Sequence, residues 1–396
     1  MLKKLFFRLA AVSLGFFMVF LLIEAGLRLW APSWLETRMK SFNFENDLRS
    51  FGTDLHWPVE EKDGFYLKFI PGSRFRVNHY EFDHEVHINA WGGRRTPFCQ
   101  EGNESFVIPF LGDSFTFGIG VRDDETFVNL LSAEMKKCFL NLGMSGAALD
   151  YQIQLIKRRH DELGNPRLYV FNLFMGNDLS PSVNEKQEKP RIENLELLTK
   201  KEHRSWDNFI LTVNYFFYHV DFLPKSYALQ YIRAKLIALI NQARMRKGSA
   251  VFADSIYGVM ERSQEPSLRE WIHGKIASLA RLAEEKGFEV FILMIPDGHQ
   301  VSDGLFRERA RYYGIPVDQY DRELPNRVLA DELEKAGIPY LDLLPCMRQY
   351  ERAELLKSQG ENLYYLQDNH LTPLGHRVVA DCAIGPLRKW YEEKGV

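Results

Sequence analysis

A serine, a histidine and an aspartate stand in two polar stretches of the chain. Ser114 lies in FLGDSFTFGIGV, residues 110–121, and Asp368 and His370 lie in QDNHLTPLGH, residues 367–376. A serine hydroxyl becomes a nucleophile when a base takes its proton, and a histidine acts as that base when an acid fixes its tautomer. Asp368 precedes His370 by two residues, so a single turn can bring its carboxylate to the imidazole. These residue types predict acyl-transfer chemistry through a covalent intermediate.

The tetrahedral intermediate of such a reaction needs hydrogen-bond donors for its negative oxygen. Gly146 ends the stretch NLGMSG, and Asn177 stands in the stretch GND. The backbone N–H groups of Ser114 and Gly146 and the side-chain amide of Asn177 are suitable donors. We therefore expect these three residues to form an oxyanion hole.

The elements that must position these residues follow from alternating apolar runs and helical patterns. The predicted strands are Phe106–Leu111, Phe139–Leu142, Leu168–Met175, Glu289–Ile295 and Tyr340–Leu344, and helical patterns include Thr126–Lys137, Asp150–Leu163 and Ser267–Lys286. This alternation indicates a parallel sheet with helices on both faces. With right-handed crossovers it favours a flavodoxin-like, three-layer α/β sandwich with five strands. Ligands of such sheets bind beyond the carboxyl ends of the strands, where the polar stretches fall.

The blocks GDS, NLGMSG, GND and DNHLTPLGH resemble the four signature blocks of the SGNH/GDSL hydrolase superfamily in their order and spacing. The resemblance covers residues 106–180 and 289–387, and it leaves an insertion at about 181–265 unmatched. It implies the SGNH hydrolase fold and a Ser-His-Asp esterase or acyl-transfer enzyme without a metal or other cofactor. By this resemblance the nucleophile is Ser114, the base is His370, the orienting acid is Asp368, and the oxyanion donors are Ser114, Gly146 and Asn177.

One departure from the family pattern concerns the acid. Many members have the acid three residues before the histidine, and that position here holds Gln367. A second candidate base, His299, follows the fourth predicted strand, and Asp297 is the one acid at close spacing to it.

Three further polar residues near these blocks are expected to have supporting roles. His376 lies one helical turn into TPLGHRVVA, where Pro373 marks a helix start, and it is expected to be structural. Asp113 and Asp178 are expected to be turn residues or to support the site.

The N-terminal 30 residues read as a membrane anchor. Lys3, Lys4 and Arg8 precede the charge-free apolar run Leu9–Ile23. A helix over Leu5–Leu29 is long enough to cross about 30 Å of hydrocarbon. The absence of a small-x-small cleavage site after Ile23 favours an uncleaved anchor over a signal peptide. The positive charge before the helix predicts a cytoplasmic N-terminus, with the rest of the chain in the periplasm or at the cell surface.

The predicted organisation has three parts. An anchor over 1–30 is followed by a stalk and β-rich lead-in over 31–104, in which Ser73–Arg95 reads as a hairpin. A hydrolase-like domain then occupies 105–396, and its insertion is expected either to cover the site or to extend the surface. The formal net charge of −3 gives no indication of a nucleic-acid partner.

The four cysteines do not form a CxxC pair, so zinc and redox chemistry are disfavoured. They are Cys99, Cys138, Cys346 and Cys382. Outside the cytoplasm they can form disulfides, and pairing Cys99 with Cys138 and Cys346 with Cys382 fits their positions beside the same elements. Three connectivities and free buried thiols all remain open.

Three functions fit the sequence. The first is a serine esterase that removes acyl groups, acetyl among them, from an envelope glycan or lipid. The second is an O-acyltransferase that modifies an extracytoplasmic polysaccharide, since the sequence does not distinguish water from a sugar hydroxyl as acceptor. The third is a catalytically silent binding module, which the complete set of site residues argues against.

Overall fold

The computed structural model describes most of the predicted domain and parts of the segments before it. The described residues are 2–31, 59–62, 66–79, 81–96, 99, 107–176, 178–179, 226–229, 231–232, 235, 239, 258–313, 316–352, 362–365 and 368–395. Residues 32–58, which include most of the predicted stalk, and most of the insertion at 181–265 lie outside them.

The first helix, α1, runs from Leu2 to Leu29 and contains the predicted anchor. Among the described residues, one helix is long and apolar enough to cross a membrane, and its apolar window is Val12–Leu29. Most large apolar side chains of this window are exposed to solvent, including Phe16, Leu22 and Leu29. A signal sequence near the N-terminus would meet the same criterion of length and apolarity.

Two short antiparallel hairpins follow. Strands β1 (Val59–Lys62) and β2 (Tyr66–Phe69) form one, and β3 (Arg74–His79) and β4 (Phe82–His87) form the other. The second hairpin lies within the segment that was predicted to form one. Phe69, Val77, Val86 and Ile88 pack with Phe117, Met144 and Ala147 in a separate apolar cluster, which joins this lead-in to the main domain.

The main domain is built on a five-stranded parallel sheet. Its strands are β5 (Val107–Leu111), β6 (Cys138–Asn141), β7 (Leu168–Phe174), β8 (Glu289–Ile295) and β9 (Tyr340–Asp342). Their spatial order is β6-β5-β7-β8-β9, and each neighbouring pair is parallel. This is the flavodoxin-like order, so the predicted fold class is confirmed.

Helices cover both faces of the sheet because each central strand is apolar on both sides. In β7, Leu168, Val170 and Phe174 face one core, and Tyr169, Phe171 and Leu173 face the other. The helices after α1 are α2 (Ser114–Phe117), α3 (Phe127–Met135), α4 (Leu149–Arg159), α5 (Glu265–Lys286), α6 (Gly298–Val301), α7 (Asp303–Tyr313), α8 (Leu324–Ala336), α9 (Leu344–Arg352) and α10 (Pro373–Glu393). Helices α4, α5 and α8 pack on the second core, and α3, α9 and α10 pack on the first.

Two disulfides tie outer elements to this sandwich. One joins Cys99, in the lead-in, to Cys138 at the start of β6, and the other joins Cys346 in α9 to Cys382 in α10. Of the connectivities that the sequence left open, the structure has this one, and no free thiol remains.

Candidate active site

Ser114 occupies the first position of the short helix α2, directly beyond the carboxyl end of β5. Asp113 caps this helix, since its Oδ1 atom accepts the Phe115 backbone N–H at 2.9 Å. Gly118 ends the helix in the left-handed region, with φ of 84°. A strand that stops on Gly-Asp-Ser therefore holds Ser114 at the sheet edge, with 8% of the residue exposed.

The loop after β6 is packed tightly against the Ser114 turn. The Asn141 side-chain amide donates to the Thr116 carbonyl at 2.7 Å, and the Met144 backbone N–H donates to the Gly112 carbonyl at 2.9 Å. A Cβ atom on Gly143 would lie 2.2 Å from the Phe117 nitrogen, so only glycine fits there. Gly146, a predicted oxyanion donor, lies in this loop with φ of 78°.

His370 lies on the loop that leads into α10. Asn369 before it has φ of 71°, a left-handed conformation that asparagine tolerates better than most residues. The loop closes on itself because the Tyr365 N–H donates to the His370 carbonyl at 2.8 Å and the Asn369 N–H donates to the Tyr365 carbonyl at 3.1 Å. Thr372 then caps α10 by accepting the Gly375 N–H at 3.1 Å.

The structure brings Ser114, His370 and Asp368 together although the serine is 256 positions from the histidine. Ser114 Oγ lies 2.8 Å from His370 Nε2, and His370 Nδ1 lies 2.5 Å from Asp368 Oδ1. With Nδ1–H donated to the carboxylate, the neutral imidazole leaves Nε2 as the acceptor that faces the hydroxyl. This geometry allows His370 to take the proton of Ser114.

The environment of His370 favours its protonated form. Burial alone would lower the pKa of His370, but the charge and hydrogen bond of Asp368, with the charge of Asp113, raise it above the ordinary value of 6.5. The imidazole ring lies 4.9 Å from the Phe115 ring, which in turn stacks on Phe174 at 3.8 Å. Carboxylates and packed rings therefore fix both the charge and the orientation of the histidine.

Two buried carboxyl groups lie behind the serine. Asp113 Oδ2 is 3.4 Å from Ser114 Oγ, and burial raises the pKa of Asp113 to about 6 although hydrogen bonding and His370 oppose the shift. Asp178 Oδ2 accepts the Phe174 N–H at 3.0 Å. Burial and then the charge of Asp113 raise the pKa of Asp178 well above its usual range. Both residues support the turns at the ends of β5 and β7, as expected from the sequence.

Arg94 is a buried residue near the site that the sequence did not single out. Its side chain is inaccessible to solvent and pairs with Asp123, with Nε 2.9 Å from Oδ1. The guanidinium also donates to the backbone carbonyls of Phe117, Gly118 and Val121. It thereby fixes the segment that directly follows the Ser114 helix. The Gly-Gly-Arg-Arg sequence does not predict this role, because every hydrogen-bond partner of the Arg94 side chain is more than 20 positions away.

The lead-in also contacts the histidine loop. Glu81, at the turn between β3 and β4, accepts the Asp368 backbone N–H at 2.8 Å. The Tyr365 hydroxyl donates to the Gly120 carbonyl at 2.7 Å, and its ring lies 5.0 Å from that of Phe82. These contacts join the serine loop, the histidine loop and the lead-in hairpin into one unit.

The remaining predicted residues are placed as follows. His299 is 3% exposed, and its Nδ1 atom lies 2.5 Å from Asp297 Oδ1, so this second Asp-x-His pair is internal. His376 is fully buried, and its Nδ1 atom accepts the Phe127 N–H at 3.2 Å, which is a structural role. Asn177 lies outside the described residues, so its assignment as an oxyanion donor stays a prediction from the sequence.

No protein-family model and no curated protein matches the chain. Solved structures with a similar arrangement include a member of the lipolytic protein G-D-S-L family from Veillonella parvula, 15% identical with a TM-score of 0.34 over 71% of this chain and 97% of its own. The psychrotrophic esterase EstA from Pseudoalteromonas sp. is 10% identical, with a TM-score of 0.34 over 72% and 98% of the two chains. The acetyl xylan esterase AlAXEase is 11% identical, with a TM-score of 0.34 over 70% and 98%. At identities and TM-scores this low, the activity of these proteins is not assigned to this chain.

Proposed function

We propose that this chain is a serine esterase of the SGNH/GDSL type that hydrolyses O-acyl esters by a Ser-His-Asp mechanism. The observation that carries the proposal is the hydrogen-bonded series from Asp368 Oδ1 through His370 to Ser114 Oγ, with links of 2.5 and 2.8 Å. A nucleophile, a base and a group that orients the base, within hydrogen-bond distance of each other, are the features that such catalysis requires.

In the proposed reaction, His370 Nε2 takes the proton as Ser114 Oγ attacks the acyl carbon. The carbonyl oxygen becomes negative and is stabilised by the N–H groups of Ser114 and Gly146 and by the Asn177 amide. His370 then gives its proton to the departing alcohol, which leaves an acyl group on Ser114. Water, deprotonated by His370, attacks this ester and releases the acid. Asp368 holds Nδ1–H throughout and stabilises the imidazolium.

The proposed location is extracytoplasmic, with α1 as an uncleaved membrane anchor. The exposed apolar surface of α1 and the positive residues at its start support a single span with a cytoplasmic N-terminus. The two disulfides support an oxidising compartment for the domain. An enzyme held there has the O-acyl groups of envelope glycans and lipids within reach, and we propose these as its substrate class.

Labelling with a fluorophosphonate probe tests the proposal. The full chain in detergent is expected to become labelled, and Ser114→Ala is expected to abolish labelling because the probe reacts with an activated serine. Ser145→Ala is a matched control, since this serine lies in the neighbouring loop after β6. Labelling that persists in Ser114→Ala would show that another residue is the reactive group. A folded wild-type chain that takes no label would favour a binding module.

A further inference from the structure

The lead-in contacts both segments that carry the residues of the proposed mechanism. On the serine side, the rings of Phe69 and Phe75 stack with that of Phe117, the last residue of α2, at centroid distances of 5.1 and 6.4 Å. On the histidine side, Glu81 Oε2 accepts the Asp368 backbone N–H at 2.8 Å. Residues that precede the sheet in sequence therefore lie against both the nucleophile segment and the base segment.

The contact from Glu81 reaches the loop of His370 from outside that loop. Within the loop, the Tyr365 N–H donates to the His370 carbonyl and the Asn369 N–H donates to the Tyr365 carbonyl. The Asp368 N–H, by contrast, donates to a side chain of the lead-in. The position of Asp368 therefore depends on a residue that lies 287 positions earlier in the chain.

Asp368 is held through its backbone as well as through its carboxylate. Glu81 binds the backbone N–H, and Asp368 Oδ1 lies 2.5 Å from His370 Nδ1. An aspartate side chain is short, so a shift of its main chain moves the carboxylate by a similar distance. A displacement of about 1 Å within a set of reacting groups can lower the rate about 100-fold. The contact with Glu81 therefore bears on how well the acid orients the base.

Glu81 itself lies on a well-supported element. The β3–β4 hairpin is paired along its whole length, up to Phe82, which directly follows Glu81. The Phe82 ring lies 5.0 Å from the Tyr365 ring. At the other end of the hairpin, His87 Nδ1 lies 2.7 Å from Asp123 Oδ2. The hairpin is thus fixed to the main domain at both ends, and a group on a rigid element can hold a neighbouring loop in one position.

We propose that Glu81 is a positioning residue for the reaction of Ser114. By accepting the Asp368 N–H, it holds the carboxylate at the distance at which the carboxylate orients His370. The lead-in is then part of the catalytic unit, because residues 105–396 alone lack a group that positions the orienting acid. This proposal rests on the serine esterase mechanism described under Proposed function and adds one residue to it.

The kinetic test uses the full chain in detergent with p-nitrophenyl acetate. Glu81→Ala should lower kcat by roughly 10–100-fold with the Michaelis constant and the melting temperature nearly unchanged, because substrate binding and the fold stay intact. Glu81→Gln should keep most of the wild-type kcat, since its amide oxygen still accepts the Asp368 N–H. Glu85→Ala is the matched control on the same hairpin, because its side chain is 53% exposed, and it should leave kcat unchanged.

A second readout does not require turnover. The short hydrogen bond between His370 Nδ1 and Asp368 should give a low-field proton signal in the NMR spectrum, which disappears in His370→Ala. His299 and Asp297, whose Nδ1 and Oδ1 atoms also lie 2.5 Å apart, should give a second such signal. In Glu81→Ala we expect the His370 signal to shift or broaden and the His299 signal to stay unchanged. Glu81→Gln should keep both signals.

Four results would overturn the proposal. They are a wild-type kcat in Glu81→Ala, a lower melting temperature with normal turnover per folded molecule, an unchanged His370 signal, and a Glu81→Gln chain as impaired as Glu81→Ala. If Glu81→Ala does not fold, Glu81→Asp carries the same expectation, because its carboxylate is one methylene shorter. A wild-type chain that shows both signals but no hydrolysis would overturn the esterase mechanism, and the His370 signal would then decide separately whether Glu81 positions Asp368.

Discussion

Asp368 Oδ1 lies 2.5 Å from His370 Nδ1 and also accepts the His370 backbone N–H at 3.3 Å. One carboxylate oxygen therefore holds both the ring and the backbone of the residue two positions later. The turn is made by Asn369, whose φ is 71°. An acid two residues before the histidine thus reaches the imidazole as directly as the proposed mechanism requires, although the D-x-x-H position holds Gln367.

Asp368→Asn should lower kcat on a p-nitrophenyl ester by roughly 10³–10⁴-fold, because the amide no longer fixes the Nδ1–H tautomer. The pH–rate profile should change as well. The raised pKa of His370 places the acidic limb of the wild-type profile above 6.5. Without the carboxylate, burial dominates, so the pKa of His370 falls and the limb should move to lower pH. Asp381→Asn, an exposed aspartate on α10, serves as the control. A mild loss with an unmoved limb would mean that another group orients His370.

The sheet was predictable from the sequence because buried parallel strands appear as apolar runs between helical patterns. The predicted bounds Glu289–Ile295 agree with β8 at both ends. The predicted strand Tyr340–Leu344 is longer than β9, which ends at Asp342. The proximity of Ser114 and His370 was predictable for a related reason. The carboxyl ends of parallel strands meet at one edge, so residues that follow different strands come together there.

The contacts that stabilise the site were not predictable, because they join residues distant in sequence through single side chains. Glu81 and Asp368 are 287 positions apart, and Tyr365 and Gly120 are 245 positions apart. Neither pair lies in a periodic pattern or a motif. From the sequence, both arginines of the Gly-Gly-Arg-Arg stretch would be expected at the surface, yet Arg94 is buried and its neighbour Arg95 is exposed.

That neighbouring pair provides a stability test. Arg94→Met should lower the free energy of unfolding by about 3–5 kcal/mol, since it removes the donor of three backbone carbonyls and leaves Asp123 with His87 as its partner. Arg95→Met should change it by no more than about 0.5 kcal/mol, because that side chain is exposed. Urea unfolding followed by circular dichroism measures both. Equal effects would show that the buried guanidinium does not hold the serine loop.

His376 should make the protein sensitive to acid. Burial, Arg94 and His370 lower the pKa of His376 to about 3, from an ordinary value of 6.5. The folded state favours the neutral form of His376. The contribution of His376 to the free energy of unfolding is therefore complete above pH 6.5 and is lost as the pH falls from 6.5 toward 3. The loss is about 1.4 kcal/mol per pH unit for one proton. In His376→Gln the slope of unfolding free energy against pH should be smaller by this amount. Arg377→Gln, at the exposed side chain next to His376, should keep the wild-type slope. A wild-type slope in His376→Gln would contradict the assignment.

Asn177 follows β7 in the sequence, and β7 is the immediate neighbour of β5, the strand that precedes Ser114. Adjacent strands lie about 4.8 Å apart, so a short amide there can reach an acyl oxygen on Ser114. If Asn177 donates to the oxyanion, Asn177→Ala should lower kcat by roughly 10²–10³-fold, with the Michaelis constant and the melting temperature nearly unchanged. If it caps a helix instead, the melting temperature should fall and turnover per folded molecule should stay near normal.

The central claim is that Ser114 forms a covalent acyl intermediate with His370 as its base. Rapid mixing with p-nitrophenyl acetate, acid quenching and peptide mass spectrometry measure this directly. We expect an acetyl group on the peptide that contains Ser114, formed in step with a burst of p-nitrophenol. His370→Ala should suppress both, and His299→Ala should suppress neither. Acetylation of another residue, or an acetylated Ser114 that forms equally fast in His370→Ala, would contradict the account.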